Sequence, residues 1–157
     1  MFLSLLLLLA APAAAAPPHI VLSVADDLGW HNVGWRNPEF STPTLDALRS
    51  EGVELTRHYT FMYCSPSRAS LLTGRLPLHV NQNNEANDIE SRSGIDIRMT
   101  LLPAKMKQAG YATAMTGKGH LGARTPANLM INRGFDRCAP PQFDPTWLWS
   151  LLVTHFM

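Results

Sequence analysis

His19-Ile20-Val21-Leu22-Ser23-Val24-Ala25, with Asp26-Asp27 directly behind it, is the stretch on which the fold turns. The run is apolar and rich in β-branched residues, and it does not alternate with polar ones. A strand of that kind is buried on both faces, as in the centre of a parallel α/β sheet. In open α/β sheets ligands gather outside the carboxyl ends of the strands. The two aspartates stand at such an end. They are candidate metal ligands, although an aspartate pair taken alone also fits a polar turn.

Downstream, helices and strands alternate. Ser41-Thr42-Pro43 is a helix start, a hydroxyl N-cap with proline in the first turn. Leu45 and Leu48 share one face of that helix, and Gly52 suits its end. Residues 53–60 form the second predicted strand. A short helix follows over residues 67–73, with Gly74 past its end. Residues 76–99 are polar and turn-rich and form a surface loop at the entrance to a site. Thr100 caps a helix that runs to Ala109 and stops at Gly110. Residues 111–116 are a third strand, leading into the glycine-punctuated loop 117–122. The alternation predicts an α/β fold with a largely parallel sheet.

The bulk numbers narrow the class. Charged residues make up 16% of the chain, below the usual value of about 25%. Part of the deficit is the leader, MFLSLLLLLAAPAAAA, which reads as a signal peptide over residues 1–16. Its apolar core is shorter than the roughly 20 residues of a membrane span. A net charge of +1 without any basic run points away from nucleic acid. Cys64 and Cys138 are the two cysteines, and in an oxidising compartment one disulfide is the plain expectation.

The densest motif is Cys64-Ser65-Pro66-Ser67-Arg68-Ala69-Ser70-Leu71-Leu72-Thr73-Gly74-Arg75. A cysteine just before a helix faces unpaired N–H groups that favour an anion. Arg68, one turn inside, is a permanent cation with a fork of donors. The segment resembles the sulfatase signature C-x-P-S-R-x-x-x-L-T-G-R at every fixed position. The resemblance implies that Cys64 is oxidised to formylglycine, whose hydrated diol attacks sulfur and then expels sulfate. That outcome is incompatible with a disulfide at Cys64. Asp26-Asp27-Leu28-Gly29-Trp30 resembles the aspartate pair of the same family. By that resemblance Asp26, Asp27 and the residue formed from Cys64 contact a divalent metal, Ca2+ ahead of Mg2+.

Gly110-Tyr111-Ala112-Thr113 and Gly117-Lys118-Gly119-His120-Leu121-Gly122 resemble the second sulfatase signature, G-Y-x-T-x-x-x-G-K-W-H-L-G. Lys118 then supplies a compact cation and His120 a proton carrier in the sulfate pocket. Gly119 stands where the family usually has tryptophan, so lost packing and a looser backbone are expected there. Arg133-Gly134-Phe135-Asp136 resembles a family turn with a structural role. His31, His58 and His79 sit in no motif and read as ordinary histidines. Trp30 and Trp35 read as core or pocket wall.

The organisation that follows is a signal peptide at 1–16, the N-terminal part of a sulfatase catalytic domain at 17–138, and a tail at 139–157 without family character. The implied architecture is a truncated alkaline-phosphatase-like α/β/α sandwich. Complete sulfatases take further metal ligands, a histidine and a lysine from later segments, and this chain has none in that context. The apolar stretch 147–153 supplies no substitute. Catalysis is therefore expected of a full-length form and not of these 157 residues. The implied partners are an aryl or sugar sulfate ester and the formylglycine-generating enzyme, with no nucleic acid and no stable membrane span. The implied location is the secretory pathway, ending in lysosome, extracellular space or periplasm. The alternatives are a formylglycine-dependent phosphonate or phosphate-ester hydrolase of the same superfamily, and a non-catalytic secreted fragment.

Overall fold

The computed structural model describes residues 16–80, 94–139 and 149–156. The leader, apart from Ala16, lies outside the described residues, as do 81–93 of the polar loop and the first part of the tail. Among the described residues no helix is long and apolar enough to cross a membrane.

Among the described residues four strands form one sheet: β1 (Ile20–Ala25), β2 (Tyr111–Gly117), β3 (Arg137–Cys138) and β4 (Trp149–Phe156). Their order is β1-β4-β2-β3. β2 and β3 pair in parallel, and β4 runs antiparallel to both β1 and β2. β1, β2 and β3 therefore share one direction, as the alternation of elements requires, and β4 is the reversed strand inside the sheet. β1 is more open than its apolar sequence suggested, with Ile20 and Val21 both exposed. Its position at the sheet edge is the reason: β4 covers one side of its ladder, and no described element lies along the other.

Among the described residues three α-helices accompany the sheet: α1 (Pro43–Glu51), α2 (Cys64–Thr73) and α3 (Leu102–Gln108). Thr42 precedes α1 as foreseen, but its hydroxyl does not cap the helix backbone. It accepts from the Gly34 amide at 2.8 Å and donates to Asp46 at 2.9 Å, so it ties the preceding turn to the helix. α1 buries no residue, and Leu48 lies open rather than forming an inner face. α2 begins at Cys64, earlier than the sequence suggested. Pro66 is tolerated there because the first-turn amides have no partner inside the helix. Gly74 ends α2 in the left-handed region at φ 67°, its amide donating to the Ser70 carbonyl at 2.8 Å. Leu101, not Thr100, precedes α3.

Residues 53–60 are not a strand. Val53 and Leu55 are exposed, and no described strand offers them a ladder. Glu54 between them is instead gripped by Arg36 and Arg49, each at 2.7 Å. Those arginines also lie over indole rings, Arg36 at 3.3 Å from the Trp30 centroid and Arg49 at 5.5 Å from that of Trp35. The two tryptophans thus carry cation–π contacts, against the expectation of plain packing. His31, His58 and His79 are exposed, in keeping with their lack of a motif.

The core joins α2 to the later half of the chain: Ala69, Leu72, Ile95, Leu101, Leu121, Met130 and Phe135. The 133–136 turn holds it together, as its structural reading anticipated. Gly134 adopts φ 110° and presses on α3, where an added Cβ would come within 2.5 Å of the Ala104 backbone nitrogen. Buried Arg133 donates to the carbonyls of Asp96 at 3.2 Å and Met99 at 2.9 Å. Asp136 accepts from the Thr113 amide at 2.8 Å and pairs with Lys107 at 2.6 Å. Thr113, the threonine of the second signature, is itself buried in β2 and also donates to the Gly134 carbonyl at 2.9 Å.

Candidate active site

Three elements deliver charged side chains to one place. Asp26 follows the last residue of β1, Lys118 follows the last residue of β2, and Arg68 projects from the second turn of α2. Lys118 Nζ lies 2.6 Å from one Asp26 carboxylate oxygen, and an Arg68 Nη lies 3.3 Å from the other. The second Arg68 Nη donates to the Lys118 carbonyl at 2.7 Å. Arg68 therefore ties helix and both strand ends together, a positioning role that the motif alone did not show. Arg68 is buried, with a side-chain exposure of 6%, and Asp26 and Lys118 are partly buried, at 12% and 17%. Burial raises the Asp26 carboxyl, but the Lys118 hydrogen bond and charge, helped by Arg68, outweigh it and hold Asp26 below its usual value.

Cys64 is the first residue of α2 and lies four positions before Arg68, on the same helix face. It is partly buried and carries a free thiol. Cys138 is also free, its thiol pushed up by burial, so the disulfide reading does not hold. Asp27 is exposed beside Asp26, and His120 lies two residues beyond Lys118. Both adopt positive φ, 55° for Asp27 and 57° for His120, and they are the two described non-glycine residues that do so. That conformation is uncommon, though Asp and His accept it more readily than most residues. Both sit at strand exits of the site, where such backbone strain commonly collects.

Gly119 corrects an expectation. It is buried, and a Cβ there would meet Met130 Cγ at 2.8 Å and Met130 Sδ at 3.2 Å. Met130, with Met115 near it, occupies the space that a Cβ would take. The backbone between Lys118 and His120 is packed here and not loosened.

A divalent cation asks for six or more oxygen ligands. Among the described residues no group of three or more His, Cys, Asp or Glu stands ready for one. Both Asp26 oxygens are already held by cations, which leaves Asp27 as the open carboxylate. These residues alone do not fit the ion. Asp26 and Asp27 also balance Lys118 and Arg68 in formal charge.

Comparison with known proteins gives the family. The sulfatase family profile matches residues 18–142. Arylsulfatase J of Mus musculus is 37% identical over 119 residues, covering 76% of this chain and 20% of the relative. N-acetylgalactosamine-6-sulfatase of Homo sapiens is 40% identical over 129 residues, covering 76% and 24%. Arylsulfatase A of Homo sapiens is 42% identical over 124 residues, covering 77% and 24%. The chain thus spans a quarter or less of the length of these relatives.

Proposed function

This chain belongs to the sulfatase family of sulfuric ester hydrolases, and from that premise we propose that it carries the nucleophile and the cationic part of a site that cleaves sulfate monoesters. One observation carries the reading. The strand ends that bear Asp26 and Lys118 are locked to the helix headed by Cys64 through a single residue, Arg68.

In this reading Cys64 is the residue converted to formylglycine, which supplies a covalent oxygen nucleophile when formed. Its place at the head of a ten-residue helix sets that oxygen at the positive end of the helix dipole. Lys118 is the cation for the sulfate oxygens, and its carbonyl is held by Arg68 so that the stem leaves from a fixed point. His120 handles the proton when the diol collapses to release sulfate. Sulfatases as a family use a divalent metal together with formylglycine. Asp26 and Asp27 are the ligands this chain would contribute, with Ca2+ preferred to Mg2+ for its tolerance of irregular oxygen sets. The described residues do not complete that ion's shell, and turnover by the described residues alone is not expected. The substrate is an aryl or sugar sulfate, and the route is the secretory pathway, where the modifying enzyme acts.

The test is co-expression with the formylglycine-generating enzyme, followed by peptide mass spectrometry and hydrazide labelling. The Cys64 peptide should lose one sulfur and two hydrogens and gain one oxygen. An unmodified thiol in most molecules would refute the nucleophile. Assay of an aryl sulfate with Ca2+ and with Mg2+ should then show no turnover above a Cys64→Ala control. Turnover above that control would show that the site is complete.

A further inference from the structure

The tail strand β4 lies outside the segment that matches the family, yet it stands between the two strands that carry the site. β1 and β2 are not hydrogen-bonded to each other. Ala25, which precedes Asp26, is registered on Trp149, and Gly117, which precedes Lys118, on Ser150. One dipeptide of β4 thus aligns both strand ends. Two strand spacings put β1 and β2 about 10 Å apart, a gap that the four-carbon stem of Lys118 crosses to reach Asp26 at 2.6 Å. A slip of β4 by one residue against β1 alone would shift Asp26 by about 3.3 Å relative to Lys118 and break the pair. All six residues of β1 are registered on β4, and no other described strand pairs with β1.

We propose that β4 (Trp149–Phe156) is the positioning element of the site, holding Asp26 at pairing distance from Lys118. Arg68 braces the two strand ends through the Asp26 carboxylate and the Lys118 carbonyl; β4 sets the register of the strands themselves. The proposal concerns assembly and not the reaction, and its readouts involve no sulfate ester. Its failure is therefore separate from failure of the hydrolytic reading.

The register is tested in the full chain with Cys64→Ser and Cys138→Ser. Val21→Cys with Val153→Cys places thiols on registered partners, whereas Val21→Cys with Leu152→Cys places them on opposite faces. The registered pair should oxidise at least about tenfold faster, because disulfide geometry tolerates little displacement. Equal or reversed rates would overturn the proposal. The site is tested by Leu152→Pro, which removes a ladder amide from an interior strand. Carbodiimide should couple Asp26 to Lys118 in the parent chain and fail to do so in Leu152→Pro, and the β1 amides should exchange like those of an unfolded chain. Parent-level coupling, or β1 amides still protected, would equally overturn it. Should Leu152→Pro unfold the whole chain, the cysteine pair alone decides, in the same two directions.

Discussion

Replacing Asp26 with asparagine tests the charge arrangement most directly. Asn keeps the shape and one acceptor but removes the charge that serves two cations. Arg68, at 6% exposure, then loses its ion pair with Asp26. Removing one partner of a buried ion pair costs about 3–5 kcal/mol. The lower end applies, because Lys118 at 17% exposure has a short path to water and the Arg68 bond to the Lys118 carbonyl survives. About 3 kcal/mol over a urea slope of about 1.5 kcal/mol/M moves the unfolding midpoint down by roughly 2 M. Lys118→Met should cost less, about 1 kcal/mol, because Arg68 still answers Asp26. The double variant should fall short of the sum, because the two residues are in contact. Stability against pH gives an independent check. Asp26 is held below its ordinary 3.8 in the folded chain. Its contribution is therefore complete above the unfolded value and disappears as pH falls through the lower folded one. Asp26→Asn should flatten that acid limb. A midpoint shift below about 0.5 M, with an unchanged acid limb, would refute the buried-pair reasoning.

Other outcomes follow from the packing. Gly119→Trp, which restores the family's usual residue, should destabilise by about 1–3 kcal/mol in urea, since Met130 already fills the space; a more stable variant would show that the space is open. Gly134→Ala should lose at least about 2 kcal/mol, through left-handed strain at φ 110° and a clash with the Ala104 backbone; an unmoved midpoint would contradict that. Lys107→Met should weaken acid resistance, because the hydrogen bond from Lys107 is the largest influence holding the Asp136 carboxyl low; that support is present above the unfolded value and lost as pH falls through the folded one, so an identical acid limb would count against it.

Local chemistry made much of this protein legible in its sequence. The β-branched run before Asp26 and the glycine stops at 74 and 110 announced their elements, because propensity and capping act within a few residues. The signature around Cys64 pointed to the chemistry for the same reason: nucleophile, helix head and Arg68 lie within two turns. Pairing across the chain was decided elsewhere. Residues 53–60 have the composition of a strand, but a strand exists only where another offers its backbone groups, and none among the described residues does. Arg68 read only as a permanent cation with a fork of donors, and the fold turned its guanidinium onto Asp26 and the Lys118 carbonyl. Gly119 read as a gap until Met130, eleven positions on, came to occupy it. The apolar tail, without a motif of its own, became the strand between β1 and β2. Each of these depends on which distant segments meet, and that is a property of packing and not of any local stretch of residues.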